Sequence, residues 1–235
     1  MTYMKNGRAI GDRFRMTNSI PVLIIPVLNR YDLLDIVLES IDYPIDEILI
    51  INNNGKDTYT PKREDLNVRV LNLPSNMGVG GSWNLGFKLY PHASYWLIGS
   101  ADTSFNPGSL AKFVEYSSPS NFVKSNAHYS SFSIGEEIVD KVGLFDEYIY
   151  PAYFEDNDYE DRMILAGFKD NILFPGIEVD DHGGSQTIRS DEKLMEKNHQ
   201  TFVKNQHYYH GKQHAGDYTP RGWNLSRRRE NDWTV

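Results

Sequence analysis

Pro21-Val-Leu-Ile-Ile-Pro-Val-Leu28 is apolar from end to end and stops at Asn29-Arg30-Tyr31-Asp32. A run of that length without polar alternation fits a strand covered on both faces, the condition of strands in a parallel sheet. Leu33, Leu34, Ile36, Val37, Leu38 and Ile41 then recur at helical spacing. The pattern repeats along the chain. Glu47-Ile-Leu-Ile-Ile51 ends in Asn52-Asn53-Asn54-Gly55, and Val68-Arg-Val-Leu71 leads to Pro74-Ser-Asn76-Met-Gly78. Another helix opens at Val79, and Tyr95-Trp-Leu-Ile98 runs into Gly99-Ser100-Ala101-Asp102. Strands alternating with helices predict an α/β fold, a Rossmann-like, mostly parallel central sheet flanked by helices. Ligands of such sheets bind beyond the carboxyl ends of the strands. Asn29, Asn52 to Asn54 and Asp102 are therefore predicted to surround one crevice.

No internal repeat or low-complexity linker interrupts this pattern. Residues 20–190 read as one domain, split into a ligand-binding half (20–105) and a second half (106–190). An irregular lead-in (1–19) precedes it. A less regular C-terminal extension (191–235) follows, with His199, His207, His210 and His214 scattered among polar residues. The chain has no cysteine, which removes disulfides, thiolate metal sites and cysteine nucleophiles, so any metal must sit on Asp, Glu, His or Asn. A formal charge of −8 argues against general nucleic-acid binding, which clustered Lys and Arg drive. Arg221 and Arg227 to Arg229 lie among Trp223 and Trp233 but are diluted by Glu230 and Asp232; they read as a solvated tail or packing arm ahead of a contact to phosphates or an anionic surface. No apolar run approaches the roughly 18 residues of a membrane span, and Met1 to Met16 lack the apolar centre of a secretory signal. Cytoplasmic residence is the expectation.

The densest chemistry lies in Tyr153-Phe-Glu155-Asp156-Asn-Asp158-Tyr-Glu160-Asp161-Arg162, where five carboxylates fall within seven residues. An acidic first turn meeting the positive end of a helix dipole explains such a run. Carboxyls against aromatic walls, whose pKa the surroundings can tune, explain it equally well.

Taken together, these segments resemble family 2 glycosyltransferases. The resemblance is carried by Pro26-Val-Leu-Asn29-Arg30, Ile51-Asn52-Asn53-Asn54-Gly55 and Asn76-x-Gly78-x-Gly80-x-x-x-Asn84-x-Gly86. It continues through Gly99-Ser100-Ala101-Asp102, Val142-Gly-Leu-Phe-Asp146-Glu, Glu155-Asp156-x-Asp158-x-x-x-Arg162 and His182-Gly-Gly-Ser185, in the family's order. Each pattern is weak alone; the ordered set is strong.

The resemblance implies a GT-A fold, a nucleotide-diphosphate sugar donor, a divalent cation and transfer of the sugar to an acceptor hydroxyl. It implies donor contacts from Pro26, Asn29, Arg30, Asn52, Asn54, Asn76, Gly78, Asn84, Ser100, Ala101 and Asp102. Asp102 matches the family's metal-binding acid and His182 its second protein ligand; without cysteine, oxygen and imidazole suit Mn²⁺ or Mg²⁺. Asp156 matches the general base of an inverting displacement, with Glu155 orienting the acceptor and Asp158 and Arg162 bracing the helix. By position, Tyr148, Tyr150, Tyr153 and Phe154 are candidates for a wall of the acceptor site, with Phe145 and Phe154 equally readable as core, and Arg189 is a candidate to close over the diphosphate.

Two departures stand out. Ser100 and Ala101 leave Asp102 as the lone carboxylate after the fourth strand, and Asn52 stands where many relatives carry Asp, leaving the preferred base open. Simpler readings coexist with each role: Asp102 as a cap near Pro107, His182 in a surface turn, Gly78 to Gly81 as a tight loop, Asn84 as a buried hydrogen-bonding residue. Two other functions compete. An inactive sugar-nucleotide-binding module fits the reduced acid motif, whereas nucleotidyl transfer is disfavoured because Gly78 to Gly86 contains no Lys or Arg.

Overall fold

The computed structural model describes residues 19–224. Apart from Ser19, the predicted lead-in lies outside the described residues, as do Arg227 to Arg229, Glu230, Asp232 and Trp233. The first half alternates as the apolar runs predict: β1 (Leu23–Val27), α1 (Tyr31–Glu39), β2 (Ile48–Asn52), β3 (Val68–Asn72), α2 (Val79–Leu89) and β4 (Tyr95–Gly99). A two-residue strand β5 (Ser104–Phe105), helix α3 (Ser109–Tyr116), strands β6 (Phe122–Ser125) and β7 (His128–Gly135), and helices α4 (Glu136–Val142) and α5 (Glu155–Leu165) follow. The chain continues through β8 (Ile172–Ile177), β9 (Val179–Asp180), α6 (Gln186–Arg189) and α7 (Glu192–Ala215).

Seven strands form the main sheet in the order β3-β2-β1-β4-β7-β6-β8. The pairings among β3, β2, β1 and β4 are parallel, β7 runs antiparallel to both neighbours, and β8 is parallel to β6. Alternation along each strand feeds two cores. Leu23, Ile25, Ile48, Ile50 and Leu97 pack with Leu34, Val37 and Leu38 of α1 and Phe113 of α3. On the other face Ile24, Leu49, Ile51, Trp96 and Ile98 meet Trp83 and Phe87 of α2, Ile138 of α4, and Tyr159 and Met163 of α5. With both faces covered, the strands are continuous apolar runs, and each fully buried aliphatic side chain contributes about 1.5–3 kcal/mol.

The stretch after residue 190 departs from expectation. In place of a less regular extension, α7 is a 24-residue helix, started by the Asp191 carboxylate accepting from Lys193 N and Leu194 N and ended by left-handed Gly216. Hydropathy does not reveal this helix because its buried stripe is largely polar: Leu194, Thr201, Asn205, Tyr209 and Lys212. Lys212 Nζ lies 2.6 Å from Asp146 Oδ2 and 2.5 Å from Asp158 Oδ1, the second contact an ion pair without hydrogen-bond alignment. Arg162 Nε completes the group, 2.9 Å from Asp158 Oδ2. Asp158 and Arg162 do brace α5, but inside the protein: Asp158 has no exposed surface and Arg162 6%. Burial raises the Asp158 pKa despite the Arg162 and Lys212 charges that oppose it.

A small second sheet pairs β5 with β9 antiparallel, Ser104 opposite Asp180 and Phe105 opposite Val179. Asp102 lies two residues before this pairing and His182 two residues after it, with Ser104 Oγ 3.0 Å from His182 Nε2. Elsewhere, backbone approaches within the fold are close. A Cβ on Gly135, at the end of β7, would lie 2.0 Å from the Pro119 carbonyl oxygen and 2.4 Å from that of Ser118. Gly135→Ala is expected to destabilise the protein by at least about 1–3 kcal/mol through forced backbone displacement, read as a lower urea midpoint with an unchanged m-value.

Candidate functional site

A cavity of about 390 Å³ opens at the carboxyl ends of the central strands. Pro26 to Leu28 after β1, Asn53 after β2 and Gly99 to Asp102 after β4 supply its sheet side. Asn76 and Gly78 before α2, the Ala127 to Ser130 hairpin, Pro151 to Tyr153, Glu155 and Asp156 supply the opposing walls, with Ser185, Thr187 and Ile188 from the segment after His182. Of the residues expected to contact a donor, Pro26, Asn76, Gly78, Ser100, Ala101 and Asp102 line this cavity, together with the acid pair.

Six others do not. Asn52 is 1% exposed and its amide is saturated: Nδ2 donates to Asp57 O and Asn72 Oδ1, and Oδ1 accepts from Tyr31 OH and Asn54 N. With every donor and acceptor engaged it has nothing left for a nucleobase, which corrects its predicted role. Asn54 is likewise internal, donating to Leu28 O and accepting from Lys56 N and Asp57 N. Asn84 holds the Phe145 loop by exchanging bonds with Phe145 O and N and donating to Glu147 Oε1; the buried structural reading holds for it. Asn29 lies beside the cavity, its Nδ2 donating to Thr187 O while Oδ1 is buried without a hydrogen-bond partner among the described residues. Arg30 is gripped through two nitrogens by Asp32, with Nη1 3.5 Å from Gln186 Oε1. His182 stands outside the cavity walls, its Nε2 3.0 Å from Ser104 Oγ and its Nδ1 3.7 Å from Asp180 Oδ2.

Asn53, which the strand-end rule places at the crevice but the resemblance does not number among the donor contacts, lines the cavity. Its Oδ1 accepts from Met77 N and its Nδ2 donates to Ser82 Oγ, tying the end of β2 to the loop before α2. Strand alternation carried the signal. Leu49 and Ile51 face the α2 side, so position 53, not 52, continues toward the cavity.

Electrostatics single out three carboxyls. Burial raises the Asp102 pKa, the Asp181 charge adding to the shift while backbone donors, chiefly Gln186 N, and His182 oppose it. Asp102 does not cap the helix near Pro107, where Gly108 occupies the cap position; its Oδ2 accepts from Gln186 N at 2.9 Å. A desolvated carboxylate with an acid neighbour and an imidazole across the β5–β9 pairing suits a hard divalent cation. Among the described residues no cluster of three or more His, Asp or Glu completes such a site, so further ligands would have to come from a bound substrate and water. Burial also raises Glu155 well above the glutamate range, with the Asp156 charge adding to it, and Oε2 has no hydrogen-bond partner among the described residues. Asp156 is raised chiefly by burial and further by Glu160, against backbone donors and Lys124.

The architecture is the GT-A fold. Residues 22–137 match the model described as Glycosyl transferase family 2. Among solved structures, S. aureus TarS is 16% identical with a TM-score of 0.51, the match covering 67% of this chain and 35% of TarS. Its 1–349 fragment in complex with UDP is 16% identical with a TM-score of 0.51, over 67% of this chain and 58% of the fragment. Glucosyl-3-phosphoglycerate synthase from Mycobacterium tuberculosis, in complex with Mn²⁺, UDP and glucosyl-3-phosphoglycerate, is 14% identical with a TM-score of 0.51, over 87% of this chain and 86% of that one. The chain thus spans about a third of the full TarS structure. No curated protein matches it, and no described helix is long and apolar enough to cross a membrane.

The raised Glu155 pKa has a signed consequence. Between the unfolded value near 4.5 and the higher folded one, the folded chain binds more protons than the unfolded chain, so stability falls as pH rises through that window. Glu155→Gln is expected to melt above the wild type at neutral pH and to show a shallower decline of melting temperature with pH, read by thermal denaturation from pH 4 upward.

Proposed function

We propose that the chain transfers a sugar from a nucleotide-diphosphate donor to an acceptor hydroxyl, by inverting displacement with Asp156 as general base and a divalent cation at Asp102 and His182. The observation that carries the reading is that Asp102 and the Glu155–Asp156 pair open into one cavity. One end of it can hold a donor while the other receives an acceptor.

Asp156 Oδ1 accepts from Asn157 N at 2.8 Å, which leaves Oδ2 to take the acceptor proton. As that proton moves, the acceptor oxygen bonds to the anomeric carbon and the bond from that carbon to the diphosphate oxygen breaks, inverting the centre. The raised Asp156 pKa moves this carboxyl toward operating pH, where a general base is most effective. Glu155, whose pKa burial raises, would donate from Oε2 to a substrate oxygen when protonated. Asp102 and His182 would hold Mn²⁺ or Mg²⁺, which when bound neutralises the diphosphate leaving group. Asn76, Gly78, Asn53 and Ser100 to Asp102 bound the donor side and exclude water from it. The TarS fragment is also known in complex with UDP-GlcNAc, and the mycobacterial synthase with UDP and Mn²⁺; uridine nucleotide sugars are therefore the first donors to screen.

A thermal-shift screen of nucleotide sugars with and without Mn²⁺, followed by assay of released nucleoside diphosphate, tests the reading. At least one donor is expected to raise the melting temperature, by an amount equivalent to about 2.7 kcal/mol at a hundred times its Kd. Asp156→Asn is expected to keep that shift and lose about 10²–10⁴-fold in kcat, whereas Asp102→Asn is expected to lose the Mn²⁺-dependent part. A chain that neither binds nor turns over any sugar nucleotide contradicts it.

A further inference from the structure

Tyr153 and Phe154, the two residues before α5, both adopt left-handed backbone conformations, with φ of 72° and 74°. Side chains of this size rarely adopt such a backbone, at a cost of order 1–3 kcal/mol per residue, and it persists only where surrounding contacts over-determine it. Those contacts come from α7. The Asn205 amide, wholly buried, donates through Nδ2 toward three carbonyls of one loop, Tyr150 O at 3.2 Å, Ala152 O at 2.8 Å and Tyr153 O at 3.4 Å. One helical turn away Phe202 packs against both strained residues, its ring centroid 5.4 Å from Tyr153 and 5.0 Å from Phe154, and Tyr209 stacks on Phe154 at 5.6 Å. Farther along α7, Tyr209 OH donates to Asp161 Oδ2 and Lys212 pairs with Asp158, fixing the body of α5. The residues immediately after the strained pair are Glu155 and Asp156, both lining the cavity.

We propose that Asn205 is a positioning residue: by holding the Tyr150–Tyr153 carbonyls it fixes the left-handed Tyr153–Phe154 pair and so aims the Glu155 and Asp156 carboxyls into the cavity. The use made of those carboxyls rests on the transferase reading; the positioning itself does not. Helix α7 is then part of the working site, although it contributes no residue to the walls of the main cavity.

The test compares wild type, Glu155→Gln, Asn205→Leu and the double variant by thermal denaturation across pH. Leucine approximates the asparagine volume and removes both donors. Asn205→Leu is expected to abolish the part of the pH slope that Glu155→Gln abolishes, because Glu155 turns toward water, and the double variant to show no further loss of slope. A melting temperature lowered equally at every pH, with the slope intact, overturns the proposal. If Asn205→Leu does not fold, Asn205→Ala, which removes the same donors without added bulk, takes its place with the same expected and overturning results. In a second arm, Mn²⁺-dependent release of UDP from UDP-GlcNAc by Asn205→Leu is expected to lose about 100-fold in kcat with KM held within about two-fold. Failure of wild type to turn over any sugar nucleotide counts against the transferase reading alone, since the pH slope decides the positioning without a donor.

Discussion

A lysine ammonium sealed from water between two aspartates determines the geometry around the cavity. Lys212 is 5% exposed, and Asp146 and Asp158 are fully buried. Such charges are tolerated inside a protein only in balance and in good geometry, and removing one partner of a buried pair costs about 3–5 kcal/mol. Here Lys212 and Arg162 balance Asp146 and Asp158, and Tyr208 OH and Tyr148 N complete the Asp146 carboxylate at 3.0 Å each. Sliding α7 by one residue would strand a charge in an apolar core. The ion group therefore specifies register as well as attachment, and it does so between the C-terminal helix, the loop after α4 and the helix that bears the acid pair.

That constraint also explains how five neighbouring carboxylates come to differ. Glu155, Asp158 and Arg162 fall at i, i+3 and i+7, the inward stripe of α5, and all three are buried. Asp156 and Glu160 lie four apart on the adjoining stripe, where Glu160 Oε2 accepts from Tyr129 OH at 2.9 Å and Lys124 Nζ at 3.0 Å. Asp161 turns toward α7 and accepts from Tyr209 and Gln213. One helical turn thus separates carboxyls that open into the cavity from carboxyls that hold the helix in place.

The four strands of the first half were legible in the sequence because apolar runs report burial directly, whereas β7, His-Tyr-Ser-Ser-Phe-Ser-Ile-Gly, carries no such run and was not. Cavity residues at the strand tips were half legible. Asp102 and Gly78 lie on the wall, but in the Asn52-Asn53-Asn54 run the choice among three identical amides depended on side-chain alternation, and the flanking two proved to be internal braces. Helix α7 was illegible to hydropathy, since Thr201, Asn205 and Lys212 occupy positions where apolar residues ordinarily announce a buried stripe. What the local pattern does not encode is which polar groups will find partners far away in the chain. Asn205 with Tyr150, and Lys212 with Asp146, are such cases.

The two-residue pairing of β5 with β9 has a bearing on how the protein is made. Ser104 and Asp180 are separated by most of the second half of the chain, and the entropy of closing so long a loop delays the pairing until the intervening strands and helices have formed. Asp102 and His182 therefore come together only in the finished fold. A nascent or half-folded chain presents them as two distant, solvated side chains, so any affinity that depends on their meeting belongs to the native protein and is withheld from its precursors.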